Sequence, residues 1–256
     1  MAVTYHDDGA LGFITLDKPP ANSYDLEFMT EYAAAVDAAI SSATRIVTVQ
    51  SANPKFFSAG ADIKKFLEGD VEANMEMINV SQAAFHKMAA APQVFIAYIA
   101  GHALGGGLEI ALACDIRLGA AGLYKIGLPE VTLGLLPGNG GTQRLTRLIG
   151  PSRALELLVT GRTFSIEEAR EWGLVADVYN TEEAPDRVLE YAARLAGGAA
   201  LAIASIKRCV HVGGERALAD GLALEGELME NLFRSRDADE GLHAFVEKRQ
   251  PEFVGA

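Results

Sequence analysis

"IAGHALGGGLEIALACDIRL", residues 99–118, sets Gly105, Gly106 and Gly107 in a row, just ahead of Glu109 and an apolar run. The cluster follows "VFIAYIAG" (94–101), which reads as a strand apolar on both faces, as in a sheet covered on both sides. It precedes "LEIALAC", which reads as a helix. A strand that enters a helix through glycines presents the helix's unpaired N–H groups and its positive dipole end. Glycines let a ligand atom approach that backbone closely, so Gly106 can aim its N–H at an oxyanion. The same residues could instead make a tight turn with close helix–strand packing. The stretch is not a P-loop, because no Lys-Ser or Lys-Thr follows, and its spacing fails the G-x-G-x-x-G dinucleotide pattern.

"LGFITLD" (11–17) reads as a strand with Phe13 and Ile14 on opposite faces, broken by "KPPANSYD". Leu26, Met29, Ala33, Val36 and Ile40 then recur at helical spacing. "RIVTVQS" (45–51) is a short β-branched strand. Strands alternating with helices imply an α/β core with crossover connections. "SIEEAREWGLV" (165–175) opens with a capping box, Ser165 with Glu168, and stops at Gly173. From about residue 184 the pattern is helical with no further strands, which suggests an appended packing or oligomerisation element. The polar stretch 58–78 has a weak helix-start signal and is expected to hold a mobile loop.

At 256 residues one main domain with a smaller appended piece is expected, and 50% hydrophobic residues can fill a sizeable core. The formal charge is -12 with no basic stripe, so nucleic acid is not an expected partner. A local Lys or Arg can still hold an anionic ligand. Cys114 and Cys209 lie in no C-x-x-C pattern and read as buried free thiols of a reducing compartment. The N-terminus lacks a basic region followed by an apolar one, so no secretory signal is expected. The run Val94 to Ala100 is far short of a membrane span. A soluble, cytoplasmic protein with no membrane partner is the expectation.

Two further stretches could carry chemistry. In "FFSAGADIKKF" (56–66), Ala61 can offer a second backbone N–H, and two convergent donors make an oxyanion hole. Asp62 most simply caps the helix that follows. In "GLPEVTLGLLPGNGGTQRL" (127–145), Glu130 follows a proline in an apolar setting, and Glu109 is similarly placed. Two such carboxylates would have their pKa values pushed up and apart, which suits acid/base work, though either alone could be a helix-terminus charge. Lys248 and Arg249, in the C-terminal charge run, could hold a phosphate or form a solvated face. His102 is expected to pack or hydrogen-bond. The five histidines form no metal-like pair, and Gly-x-Ser-x-Gly is absent.

Taken together, "FFSAGADIKKF", "GHALGGGLEIALACDIR" and "LPEVTLGLLPGNGGTQRL", in that order, resemble the enoyl-CoA hydratase/isomerase (crotonase) superfamily. The resemblance runs from "LGFITLDKPPANS" to "EGLHAFVEKRQPEF", nearly the whole chain. It implies an α/β fold: a spiral of ββα repeats over residues 1–195, then a C-terminal helical trimerisation region over 196–256. Homotrimers, or hexamers as dimers of trimers, would follow. It implies an acyl-CoA thioester substrate whose oxygen is held as an enolate by the N–H groups of Ala61 and Gly106. Hydratases carry two glutamates, here Glu109 and Glu130. Their spacing, 21 (130 minus 109), is about one residue longer than in typical hydratases, with the extra residue placed in "GAAGLYK".

By that resemblance, Glu109 orients and deprotonates water while Glu130 positions it and delivers the α-proton. Water then adds across the 2,3 double bond to give a 3-hydroxyacyl-CoA, with no metal or redox cofactor. Lys18, and Lys248 of a neighbouring subunit, would meet the CoA phosphates. The loop holding Ala59, Ala61, Asp62 and Ile63 would carry the adenine. A 3,2-enoyl-CoA isomerase needs only one glutamate and stays open, as does another acyl-CoA enolate chemistry. Relatives that bind RNA use a lysine-rich helix, and "LEFMTEYAAAVDAAISSATR" has no lysine. Met75, Met77 and Phe85 could line an acyl tunnel or sit in the core.

Overall fold

The computed structural model describes residues 1–256. β1 (Val3–Asp8) and β2 (Leu11–Leu16) form an antiparallel hairpin that turns at Gly9, where φ is 61°. In β2 Gly12, Ile14 and Leu16 face the core, and Phe13 on the other face stacks on His6 at 4.8 Å. α1 (Leu26–Ser41) starts where the Asp25 carboxylate accepts the Phe28 N–H at 3.0 Å. Its buried face is Phe28, Met29, Tyr32, Ala35, Val36 and Ala39.

Next come β3 (Ile46–Ser51), β4 (Phe56–Ser58), α2 (Ile63–Glu68) and α3 (Val71–Ala90). β5 (Val94–Ile99), β6 (His102–Leu104), α4 (Gly106–Ala113), β7 (Ile116–Ala120) and β8 (Ile126–Gly127) follow. A 3-10 turn, Glu130–Leu133, leads to α5 (Gly141–Ile149), α6 (Pro151–Thr160), α7 (Ile166–Glu171) and β9 (Asp177–Tyr179). The chain ends in α8 (Ala184–Ala196), α9 (Ala200–Arg208), a π-type turn Cys209–Gly213, α10 (Leu218–Phe233) and α11 (Arg236–Glu247).

One sheet has the order β1-β2-β3-β5-β7-β9, and a smaller one has β4-β6-β8. Apart from the first hairpin every pairing between these strands is parallel, and one isolated antiparallel bridge joins Ile126 to Phe164. Three times the chain lays a strand in the larger sheet, a short strand in the smaller one, and then a helix: the ββα spiral. The central strands are apolar on both faces because both are covered. Val47, Val49, Phe95 and Ala97 face the main core. Ile46, Ile96 and Leu118 pack under Val188, Ala192 and Ala196 of α8.

The expected mobile loop at 58–78 is not there: α2 and the start of α3 occupy most of it. The helix-start signals are two aspartates. Asp62 accepts from the Lys64 and Lys65 N–H groups, and Asp70 from Ala73 at 2.9 Å. Met77 and Phe85 of α3 are core residues, while Met75 is exposed.

The helical reading beyond residue 184 holds. α9 is pinned to the core by Lys207, whose buried Nζ donates to the Met88 and Gln93 carbonyls and pairs with Asp115 at 2.8 Å. Cys114 is buried and Cys209 half-buried, and both are free. No single helix is long and apolar enough to cross a membrane.

Candidate active site

Every amide but one in the 59–62 turn after β4 has a partner. Ala59 N–H donates to Ala21 O (2.9 Å), Gly60 N–H to Ser58 Oγ (3.1 Å) and Asp62 N–H to Tyr24 O (2.8 Å). The Ala61 N–H is left over. Buried or half-buried backbone donors are almost always paired, so an unused one marks a place for a ligand acceptor. Asn22 holds this turn in place. Its Nδ2 donates to Ser51 Oγ (2.7 Å) and Phe57 O (3.0 Å), its Oδ1 accepts from Lys18 N (2.7 Å), and its carbonyl accepts from Ser58 Oγ (2.8 Å).

Opposite lies the N-terminus of α4. Gly105 N–H is used by Gly127 O, and Gly105 O takes the Leu108 and Glu109 N–H groups. Gly106 opens the helix, and its N–H has no acceptor. The two backbones touch: a Cβ on Gly60 would lie 2.7 Å from Leu104 O and 3.3 Å from Gly106 N. Gly105 is glycine because its φ is 53°. Gly107 is glycine because a Cβ there would meet Ser58 O at 2.3 Å. Two unpaired N–H groups on abutting loops, one at a helix N-terminus, form a ready site for an oxyanion.

Two carboxylates flank it. Glu109, on the first turn of α4, is 1% exposed, and its Oε1 accepts from Asn139 N and Gly141 N, each at 2.7 Å. Burial pushes it up to about 7, against the pull of those two N–H groups and the Arg144 charge. Arg144 also anchors the loop, donating to Asn139 O at 2.7 Å. Glu130 opens the 3-10 turn, and both its carboxylate oxygens are buried without a partner. Its Oε1 lies 3.1 Å from where a Gly105 Cβ would be. Burial pushes Glu130 up to about 7 as well, and the Glu109 charge adds to the rise. The pKa values are therefore raised but not separated, contrary to the expectation from sequence, because burial dominates both.

The sequence profile of the enoyl-CoA hydratase/isomerase family matches residues 7–256. The chain belongs to that family. A probable enoyl-CoA hydratase of Bacillus subtilis (strain 168) is 36% identical over 257 residues, 99% of each chain. A 2,3-dehydroadipyl-CoA hydratase of Escherichia coli (strain K12) is 35% identical over 243 residues, 94% of each. The crystal structure of an enoyl-CoA hydratase from Geobacillus kaustophilus HTA426 superposes with a TM-score of 0.97 at 46% identity, covering 100% of this chain and 97% of that one. The ββα spiral is thus the crotonase fold.

Within this crotonase, the structure brings Ala61, Gly106, Glu109 and Glu130 together. Between the two glutamates the chain passes through the turn 121–125, where Tyr124 Oη lies within hydrogen-bond reach of the Ile99 and Ala120 carbonyls. Strand pairing resumes in register at Ala103–Ile126 and Leu104–Gly127. Ala59 and Ala61 are half-buried, Asp62 caps α2, and Ile63 is exposed. Lys18 is nearby but already paired with Asp25 at 2.7 Å. Lys248 lies apart from this cluster in its own chain: it ends α11, which packs on α10, with φ 59°. His102 accepts the Lys125 N–H at 3.1 Å and packs on Phe56.

Sequence reasoning missed Asn22, Tyr24, Asn139 and Arg144. Asn22, Tyr24 and Asn139 act through contacts distant in sequence, and their one local signal is an unassigned polar residue near a glycine- or proline-rich turn; Arg144, inside α5, carries no such signal.

A buried, unpaired carboxylate weakens the fold once it must ionise. Glu130 is raised from an ordinary value of 4.5, so the unfolded chain ionises first. Stability is therefore lost as pH rises from 4.5 to about 7 and is level above that. Glu130→Gln removes this liability. At pH 8 its Tm should exceed that of the wild type by several degrees, on the order of 1–3 kcal/mol. The gap should close by about pH 4.5 in thermal melts. A gap independent of pH would mean that Glu130 is not held as described.

Proposed function

We propose that the protein is an enoyl-CoA hydratase that adds water across the 2,3 double bond of a 2-enoyl-CoA, giving a 3-hydroxyacyl-CoA. The observation that carries this reading is the pair of buried carboxylates, Glu109 and Glu130, set beside two unpaired amides. The Ala61 and Gly106 N–H groups bind the thioester oxygen and hold it as charge builds there. Ionised Glu109 takes a proton from water as the water oxygen bonds to C3. The π electrons move to the thioester oxygen, and protonated Glu130 then gives its proton to C2. The net change is one water added. The carboxylates reset by passing a proton back, and hydrogen bonds alone stabilise the enolate, so no metal or redox cofactor is required.

Lys18, Ala59, Ala61, Asp62 and Ile63 would bind the CoA portion, with Lys18 exchanging Asp25 for a phosphate. Lys248 would join from a neighbouring subunit of a homotrimer or of a dimer of trimers. The unpartnered apolar side chains of the C-terminal helices, among them Leu218, Leu222, Phe233 and Phe245, support such an assembly built by residues 196–256. A reducing cytoplasmic setting fits the two free thiols.

Purified protein should bleach the ultraviolet absorbance of crotonyl-CoA, with a product heavier by one water. Two coupled carboxylates near 7 share about one proton at neutral pH. The pH dependence of kcat/KM should therefore be a bell centred near 7, falling below it as Glu109 protonates and above it as Glu130 ionises. No hydration, together with conversion of a 3-enoyl-CoA to its 2-isomer, would replace the hydratase by the isomerase that the family also contains.

A further inference from the structure

Tyr24 has no part in the mechanism above, yet its hydroxyl sits inside the site. Its ring packs in the core against Phe28, with 3% of the residue exposed. A phenylalanine would satisfy that packing, so the hydroxyl is an additional polar group in an apolar wall. The oxygen lies 1.6 Å from where a Cβ on Gly106 would be, flat against the first residue of α4. It accepts the Asn139 Nδ2 N–H at 3.0 Å, and the backbone N–H of the same Asn139 holds Glu109 Oε1. Glu130 Oε1 lies 3.1 Å from the Cβ position of Gly105, the residue just before Gly106. The hydroxyl is thus linked to Glu109 through Asn139 and lies against the glycine pair that Glu130 adjoins. Its lone pair is taken by Asn139, while its proton has no protein acceptor. A buried hydroxyl with an unused donor is unfavourable unless something in the working state accepts it. Burial and both glutamate charges raise its pKa, so it stays a neutral donor.

We propose that Tyr24 is a further catalytic residue, whose hydroxyl donates a hydrogen bond to the water oxygen that bonds to C3 between Glu109 and Glu130. The proposal rests on the hydratase reading. In hydration, the water gives its protons toward the carboxylates, keeps one lone pair for C3, and accepts from Tyr24 with the other. In the reverse direction the departing oxygen gathers negative charge, and the same donor stabilises it as Glu109 returns the proton. Tyr24 neither gains nor loses a proton overall. The hydrogen bond belongs to the C3 oxygen and not to the thioester oxygen, so removing it should weaken hydration more than enolate formation.

The test compares wild type and Tyr24→Phe in two reactions. One is hydration of crotonyl-CoA. The other is exchange of the α-protons of butyryl-CoA in deuterated water, which needs the oxyanion hole and an acid/base carboxylate but no C3 oxygen. The expected result is a hydration-to-exchange ratio lowered about tenfold or more, carried by kcat, since a hydrogen bond to a charged group is lost. Measurable exchange also shows that the variant's site is folded. Equal loss in both reactions would make Tyr24 structural, and no loss in either would make it idle. Both results overturn the proposal. A wild type that exchanges butyryl-CoA protons but does not hydrate crotonyl-CoA overturns the hydratase reading itself, and this role with it.

Discussion

Glu130→Gln should fold, bind acyl-CoA and lose hydration of crotonyl-CoA by about 10²–10⁴-fold, the usual worth of a positioned acid/base group. The substitution keeps the size and shape of a side chain whose two carboxylate oxygens are buried without partners, so no hydrogen bond of the fold is broken. What disappears is a group that burial holds near 7, able both to carry a proton and to release it at neutral pH. Glu109 is a poor substitute, because its Oε1 is tied to the Asn139 and Gly141 N–H groups. Exchange of butyryl-CoA α-protons should fall with hydration, since Glu130 is the group assigned to C2. Steady-state rates within tenfold of the wild type would remove Glu130 from that position.

The site is divided between parts that are local in sequence and parts that are distant, and this division governs what can be read from sequence. The helix N-terminus at Gly106 and the carboxylate three residues later are written in one short stretch, so they were legible directly. The alternation in "LGFITLD" and the doubly apolar "VFIAYIAG" reported the sheet and its two covered faces for the same reason: each pattern is repeated within a few residues. The convergence of Ala61 on Gly106 was legible only by resemblance, because nothing in "SAGAD" itself points to α4. The start of α3 was misread because its signal is a single capping residue, Asp70, in a stretch whose exposed face is polar. The short strands β4, β6 and β8 carry two or three residues each, too few for a period to show. Tyr24 and Asn139 stand 115 residues apart in sequence, and their hydrogen bond leaves no trace in either neighbourhood.

Gly106→Ala should cost hydration about 10²–10³-fold, comparable to removing one donor from an oxyanion hole. The added Cβ would fall 1.6 Å from Tyr24 Oη, 2.4 Å from its Cζ and 2.6 Å from its Cε1. Tyr24 cannot swing aside, because its ring is buried and its backbone is bonded at both ends to the 59–62 turn, through Gly60 O and Asp62 N. The strain must therefore move either the first turn of α4 or that turn. Either movement pulls the Gly106 and Ala61 N–H groups out of register with each other. Overpacking should also lower stability by about 1–3 kcal/mol, so melts of the variant are needed beside the rates. Unlike Tyr24→Phe, this change should depress hydration and butyryl-CoA proton exchange together, because both pass through the same enolate. Hydration near the wild-type rate in a folded Gly106→Ala protein would show that the oxyanion is held elsewhere. The three glycines would then be explained by close packing of α4 alone.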